Sequence, residues 1–138
     1  MSIIPLTLIA ALISFILGAI WYMPLFGRAW GRAMEKAPGS EEKPTLKKQI
    51  VPMVINFLMN ILVAFVLFNV LAVFGVMTVP QAFLISGVMF LGFILPMQVG
   101  AVLWNGRSTK SKWTVFLISS GFQLLNFLVL SIVFVLLA

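Results

Sequence analysis

The chain has 138 residues, 62% of them apolar and 9% charged, with a mean hydropathy of +1.18. A soluble domain holds roughly 45–50% apolar and about 25% charged residues, so this composition excludes a soluble globular domain and disorder alike. The net charge of +6 comes from nine Lys and Arg against three acids, and the chain has neither His nor Cys, which removes imidazole and thiolate chemistry and any disulfide.

A membrane helix needs about 20 apolar residues, because 1.5 Å of rise per residue must cross roughly 30 Å of hydrocarbon. Four segments meet that length without a charged side chain: residues 3–25, 50–74, 79–104 and 113–137. The expected fold is therefore an all-α integral membrane protein, a single four-transmembrane-helix bundle over residues 1–138. The first span is not expected to be a cleaved signal peptide, since Met1 and Ser2 supply no basic flank and the apolar run is too long. Along it, Ala10, Ser14 and Gly18 recur every four residues, a small-residue stripe that lets another helix approach closely.

The following stretch, 26–49, carries Arg28, Arg32, Lys36, Lys43, Lys47 and Lys48 together with all three acids, Glu35, Glu41 and Glu42. Its apolar positions Phe26, Ala29, Trp30, Ala33, Met34 and Ala37 have helical spacing, with Arg28, Arg32, Glu35 and Lys36 on the other face. That pattern predicts a short interfacial helix over about 26–37, against the plainer reading of a solvated coil. Pro38 and Gly39 stop it, and Thr45 is the expected N-cap of the second span.

The second span places Asn56 and Asn60 on one face with Pro52 and Ala64. A short uncharged connection, 75–78, leads to the third span, where Gly92, Pro96 and Gly100 share four-residue spacing and Gln98 follows the proline. Pro96 removes a backbone donor and is expected to kink the helix, either as a hinge or as a static bend packed on a neighbour. The basic loop 105–112 carries Arg107, Lys110 and Lys112, and the last span shows Ser119, Gln123 and Asn126 as a polar stripe. Counting depth at 1.5 Å per residue suggests two polar layers: Asn60 with Gln123 and Asn126, and Asn56 with Gln98. These amides either line a polar cavity or make interhelical hydrogen bonds, which model helices value at about 1–2 kcal/mol. Leu-Ile-Ser recurs at Leu12, Leu84 and Leu117, a repetition expected by chance in so Leu- and Ile-rich a chain.

All nine basic residues belong to the first and third connections, which lie on one side of a four-span protein. The positive-inside rule makes that side cytoplasmic and both termini external, and Trp21, Tyr22, Trp30, Trp104 and Trp113 gather at the same ends. The expected location is a cytoplasmic membrane. The basic loops offer anionic lipid headgroups about 1 kcal/mol per well-placed Lys or Arg; no nucleic-acid partner is expected.

At the end of the first span the chain reads Trp21-Tyr22-Met23-Pro24-Leu25-Phe26-Gly27-Arg28-Ala29-Trp30. That run resembles a bacterial family of small membrane proteins known as a domain of unknown function, family 1761. Gly92-Phe93 with Pro96, and Gly121-Phe122 after the basic loop, are similar to the same family. Many members carry His after that last aromatic; this chain has Gln123. The resemblance implies four membrane helices and supplies no activity. Physically, Trp21 and Tyr22 anchor the helix end, Pro24 stops the helix, and Gly27 permits the turn toward Arg28 and Trp30.

No catalytic residue, cofactor site or metal site is expected: the chain offers no intramembrane carboxylate pair, no Ser-His or Ser-Lys arrangement and no phosphate loop. The first expectation is a non-enzymatic membrane protein acting through helix association, as a homo-oligomer or partner subunit. The second is a small transporter or channel for a neutral or hydrophobic solute. A lipid-active enzyme ranks last.

Overall fold

The structure is a computed structural model that describes residues 2–25, 46–104 and 108–138 together with residues 29 and 106; of residues 23, 24 and 46–49 it describes the backbone alone. Apart from Ala29, the expected interfacial helix over 26–37, including Gly27, Arg28 and Trp30, lies outside the described residues, as does the Thr45 cap.

Helix α1 runs over Ile3–Ile20 and passes directly into a π-helical turn, Trp21–Leu25. Helix α2 covers Leu46–Val73. The third span is interrupted: α3 is Val79–Met89, a π-helical segment follows at Phe90–Ile94, and α4 is Leu95–Leu103. Helix α5 covers Thr109–Leu137. Among the described residues there is no strand, and four helices are long and apolar enough to cross a membrane.

The third and fourth spans keep their expected C-terminal ends to within a residue, whereas α2 and α5 begin four residues before the apolar runs. Hydropathy marks only what hydrocarbon covers, while helical hydrogen bonding continues into the polar flank. For α5 the start is set by Ser108, whose hydroxyl accepts from the Ser111 N–H at 3.3 Å. For α3 it is set by Thr78, which accepts from the Gln81 N–H, while the Gln81 side chain accepts from the Met77 N–H at 3.0 Å. This reciprocal exchange is close to a capping box. Between α2 and α3 the chain reverses at Gly75, where φ is +66° and glycine avoids the Cβ penalty.

Pro5 and Pro80 lie in the first turns of α1 and α3; the three prolines deeper in the spans act differently. Pro52 lies within α2, which continues through it. The departure expected at Pro96 appears one turn earlier, as the segment Phe90–Ile94, with the Leu95 N–H reaching back five residues to the Phe90 carbonyl. The extra residue lets the chain pass a ring that cannot donate to the carbonyl four back. Pro24 sits inside the π-helical turn Trp21–Leu25, and the stop expected of it falls on residues 26–28, which lie outside the described residues.

Helix α5 is the centre of the bundle. It packs on α1, on α3, on α4 and on the π-helical segment between them, while α1 also packs along α2. The spans therefore lie in the order two, one, four, three, and among the described residues spans two and three touch slightly, through α2 and α3. At the end carrying residues 74–78 the bundle is tightly filled: Leu6, Ala10, Ala64, Leu67, Phe68, Leu71, Ala82, Leu130 and Phe134 form one buried cluster. In a bilayer such packing is held by van der Waals contact rather than by escape from water. The other half is packed differently.

Candidate functional site

That half is built on one face of α1. Ser14, Gly18 and Tyr22 succeed each other at four-residue spacing and face the polar stripe of α5. The Ser14 hydroxyl, buried at 1% exposure, donates to Asn126 Oδ1 at 2.6 Å. Tyr22 is hydrogen-bonded to the Ser119 side chain, and Trp21 Nε1 donates to the Ile118 carbonyl at 2.9 Å. Two glycines allow the helices to come this close. A Cβ on Gly18 would stand 3.4 Å from Phe122 Cζ, and one on Gly121 would stand 3.2 Å from Trp21 Cζ2. The Phe122 ring is in turn 5.5 Å from Tyr22 and 6.4 Å from Trp21, within the range of favourable aromatic pairs.

Beside this seam, α1, α2 and α5 leave a half-open pocket of about 330 Å³. Asn56 and Asn60 from α2, Gln123 from α5, Ser14 from α1 and Tyr22 from the π-helical turn that follows it supply its polar lining, with Phe15, Met53 and Phe122 as apolar walls. Among the described residues, no lining side chain is charged. Ser14 and Tyr22 are already paired within the protein, whereas Asn56, Asn60 and Gln123 have no hydrogen-bond partner among the described residues. Its volume falls at the lower end of small-molecule sites. Among the described residues there is also no group of His, Cys, Asp or Glu able to hold a metal ion.

The structure therefore brings together Asn56, Asn60 and Gln123, and it gives Asn126 a different partner from the expected one. Asn126 is 2% exposed and bonded to span one, not to span two. Gln98 lies on α4, which packs on α5 and away from the pocket, so the expected layer of Asn56 with Gln98 does not form. The physical reason is the span order, which separates the pocket end of α2 from α4. The small-residue stripe is a helix contact, and it lies inside the protomer: Ala10 belongs to the buried cluster, Ser14 meets Asn126, and Gly18 meets Phe122. Of the aromatics expected at the cytoplasmic ends, Trp21 and Tyr22 turn inward onto α5, while Trp104 and Trp113 stand exposed on the surface.

Sequence reasoning missed a second polar bridge. The Ser131 hydroxyl lies 2.8 Å from the Phe127 carbonyl and 2.9 Å from the Ser86 hydroxyl, joining α5 to α3 at full burial. The signal was present in the three Leu-Ile-Ser tripeptides. In each, the Leu is exposed (Leu12, Leu84, Leu117) and the Ser two residues on hydrogen-bonds to another helix: Ser14, Ser86 and Ser119. Two buried hydroxyls, Thr7 and Ser120, have no partner among the described residues.

The sequence profile described as "Protein of unknown function (DUF1761)" matches residues 6–135, which takes in all four spans and every pocket residue. No curated protein and no solved structure matches the chain. The chain belongs to the DUF1761 family of proteins of unknown function, and it is an integral membrane protein of four apolar helices.

Proposed function

We propose that the protein is a non-enzymatic membrane protein that binds a small neutral, hydrogen-bonding molecule in the pocket between α1, α2 and α5. One observation carries this reading: three amides from two helices face a single half-open pocket and find no partner among the described residues. An unpaired amide at membrane depth is costly, so an occupant that pairs with it is stabilised there. Each amide offers two donors and an acceptor, which suits hydroxyl and amide groups, and a lining with no charge among the described residues disfavours ions. Amides do not titrate, which favours binding or passage of a solute over proton chemistry. The charged loops are assigned to the cytoplasmic side on the positive-inside rule.

The helix-association reading loses its main support, because Ala10, Ser14 and Gly18 are used inside the protomer. The solute-binding reading rests instead on the three amides that face the pocket. Saturation-transfer NMR on the chain in nanodiscs, with glycerol, acetamide, monoolein and oleamide as probes, tests the proposal. At least one probe is expected to give a saturable signal that Asn60→Leu and Gln123→Leu abolish. No signal from any probe, or signals indifferent to both substitutions, refutes it.

A further inference from the structure

We infer that the occupant is a single-chain neutral amphiphile: its hydroxyl or amide head sits among Asn56, Asn60 and Gln123, and its hydrocarbon chain lies in the groove between α1 and α2. This rests on the reading of the pocket as a binding site. The groove is a separate depression of about 360 Å³, lined by Leu12, Phe15, Ile50, Met53, Val54 and Phe57 without a polar side chain. Phe15 and Met53 line both the groove and the polar pocket, so the two depressions share a wall.

The wall has one fixed and one adaptable member. Phe15 stands edge-on to Phe57 at 6.0 Å between ring centres, which holds it. Met53 is 49% exposed and unbranched, and a thioether side chain moves between rotamers with little cost. Displacing Met53 joins pocket and groove into one channel open to the side of the bundle. Leu12, Ile50 and Val54 are exposed there, so in a bilayer the groove is already in contact with lipid chains. A hydrocarbon chain entering it leaves one apolar medium for another and gains mainly packing contact. Selection therefore falls on the head. A phosphate or carboxylate would meet no counter-charge among the described lining residues, whereas a hydroxyl or amide pairs with three waiting amides.

The test uses the full chain in phosphatidylcholine nanodiscs and a monoacylglycerol carrying a diazirine in mid-chain, with cross-linked peptides mapped by mass spectrometry. Comparison probes are the same chain as a bare hydrocarbon, the same chain with a phosphate head, and free glycerol as competitor. The monoacylglycerol is expected to label the groove about tenfold more than either comparison chain. Labelling is expected to fall about fivefold to tenfold in Gln123→Leu, the worth of one lost hydrogen bond, and in Val54→Trp, which fills the lipid-facing groove. Equal labelling by the bare hydrocarbon shows only solvation by lipid and overturns the inference, and equal labelling by the phosphate head overturns its neutrality. If glycerol binds and is lost in Gln123→Leu while no chain labels the groove, the pocket reading stands and this inference falls. If neither glycerol nor the monoacylglycerol binds, this inference falls, and the pocket reading falls with it once acetamide and oleamide are silent too.

Discussion

Gly18→Leu probes whether the small-residue stripe of α1 belongs to this protomer or faces another. The Cβ alone is tolerable: at 3.4 Å from Phe122 Cζ it makes ordinary van der Waals contact, and Ala gains up to about 1 kcal/mol of helix propensity over Gly. Gly18→Ala is therefore expected to stay within about 1 kcal/mol of the parent. Leu adds three more carbons directed at a ring that is 8% exposed and held by Tyr22 and Trp21. Overpacking of that kind costs about 1–3 kcal/mol. Denaturant titration in mixed micelles should show the loss, while light scattering should show an unchanged oligomeric mass. Gly18→Leu combined with Phe122→Ala should recover part of it, as the ring's space receives the new side chain. A change in oligomeric mass with an unchanged unfolding midpoint would place the stripe between chains and refute the reasoning.

Ser14→Ala leaves the buried Asn126 carbonyl oxygen without its donor and is expected to cost about 1–3 kcal/mol, with Asn126→Leu recovering part of the loss in the double variant; denaturant titration of all three reads it. Gly121→Ala should destabilise by about 1–3 kcal/mol because its Cβ would meet Trp21, which is tethered to Ile118, at 3.2 Å; Gly87→Ala and Gly92→Ala, which face open space, should not destabilise in the same assay. Ser131→Ala is expected to cost roughly 0.6–1.7 kcal/mol through the lost bridge to Ser86, and a cost also seen in a Ser86→Ala background would assign it elsewhere. Reporter fusions at Ala138 and within residues 75–78 should register as external and those at Ser108 as cytoplasmic; the reverse pattern at two of these sites would overturn the charge argument.

How much of this was legible beforehand follows from where each kind of information resides. Span number and position are properties of apolar length, so residues 3–25, 50–74, 79–104 and 113–137 could be marked without any knowledge of neighbours, and each corresponds to a helix long enough to cross. Faces were legible too, because a 3.6-residue period places Ser119, Gln123 and Asn126 together whatever they meet. Partners were not. Depth alone paired Asn56 with Gln98, but α2 and α4 are kept apart by a bundle in which α5 takes the central place. Which helix takes the centre depends on side-chain volumes fitting across several interfaces at once: Phe122 against Gly18, Trp21 against Gly121, Ser131 against Ser86. A helix carries its own stripe in its sequence, but its rotation is settled by what the neighbouring stripes leave room for. Tertiary packing therefore decided that Ser14 satisfies Asn126 while Asn56, Asn60 and Gln123 are left facing a common pocket.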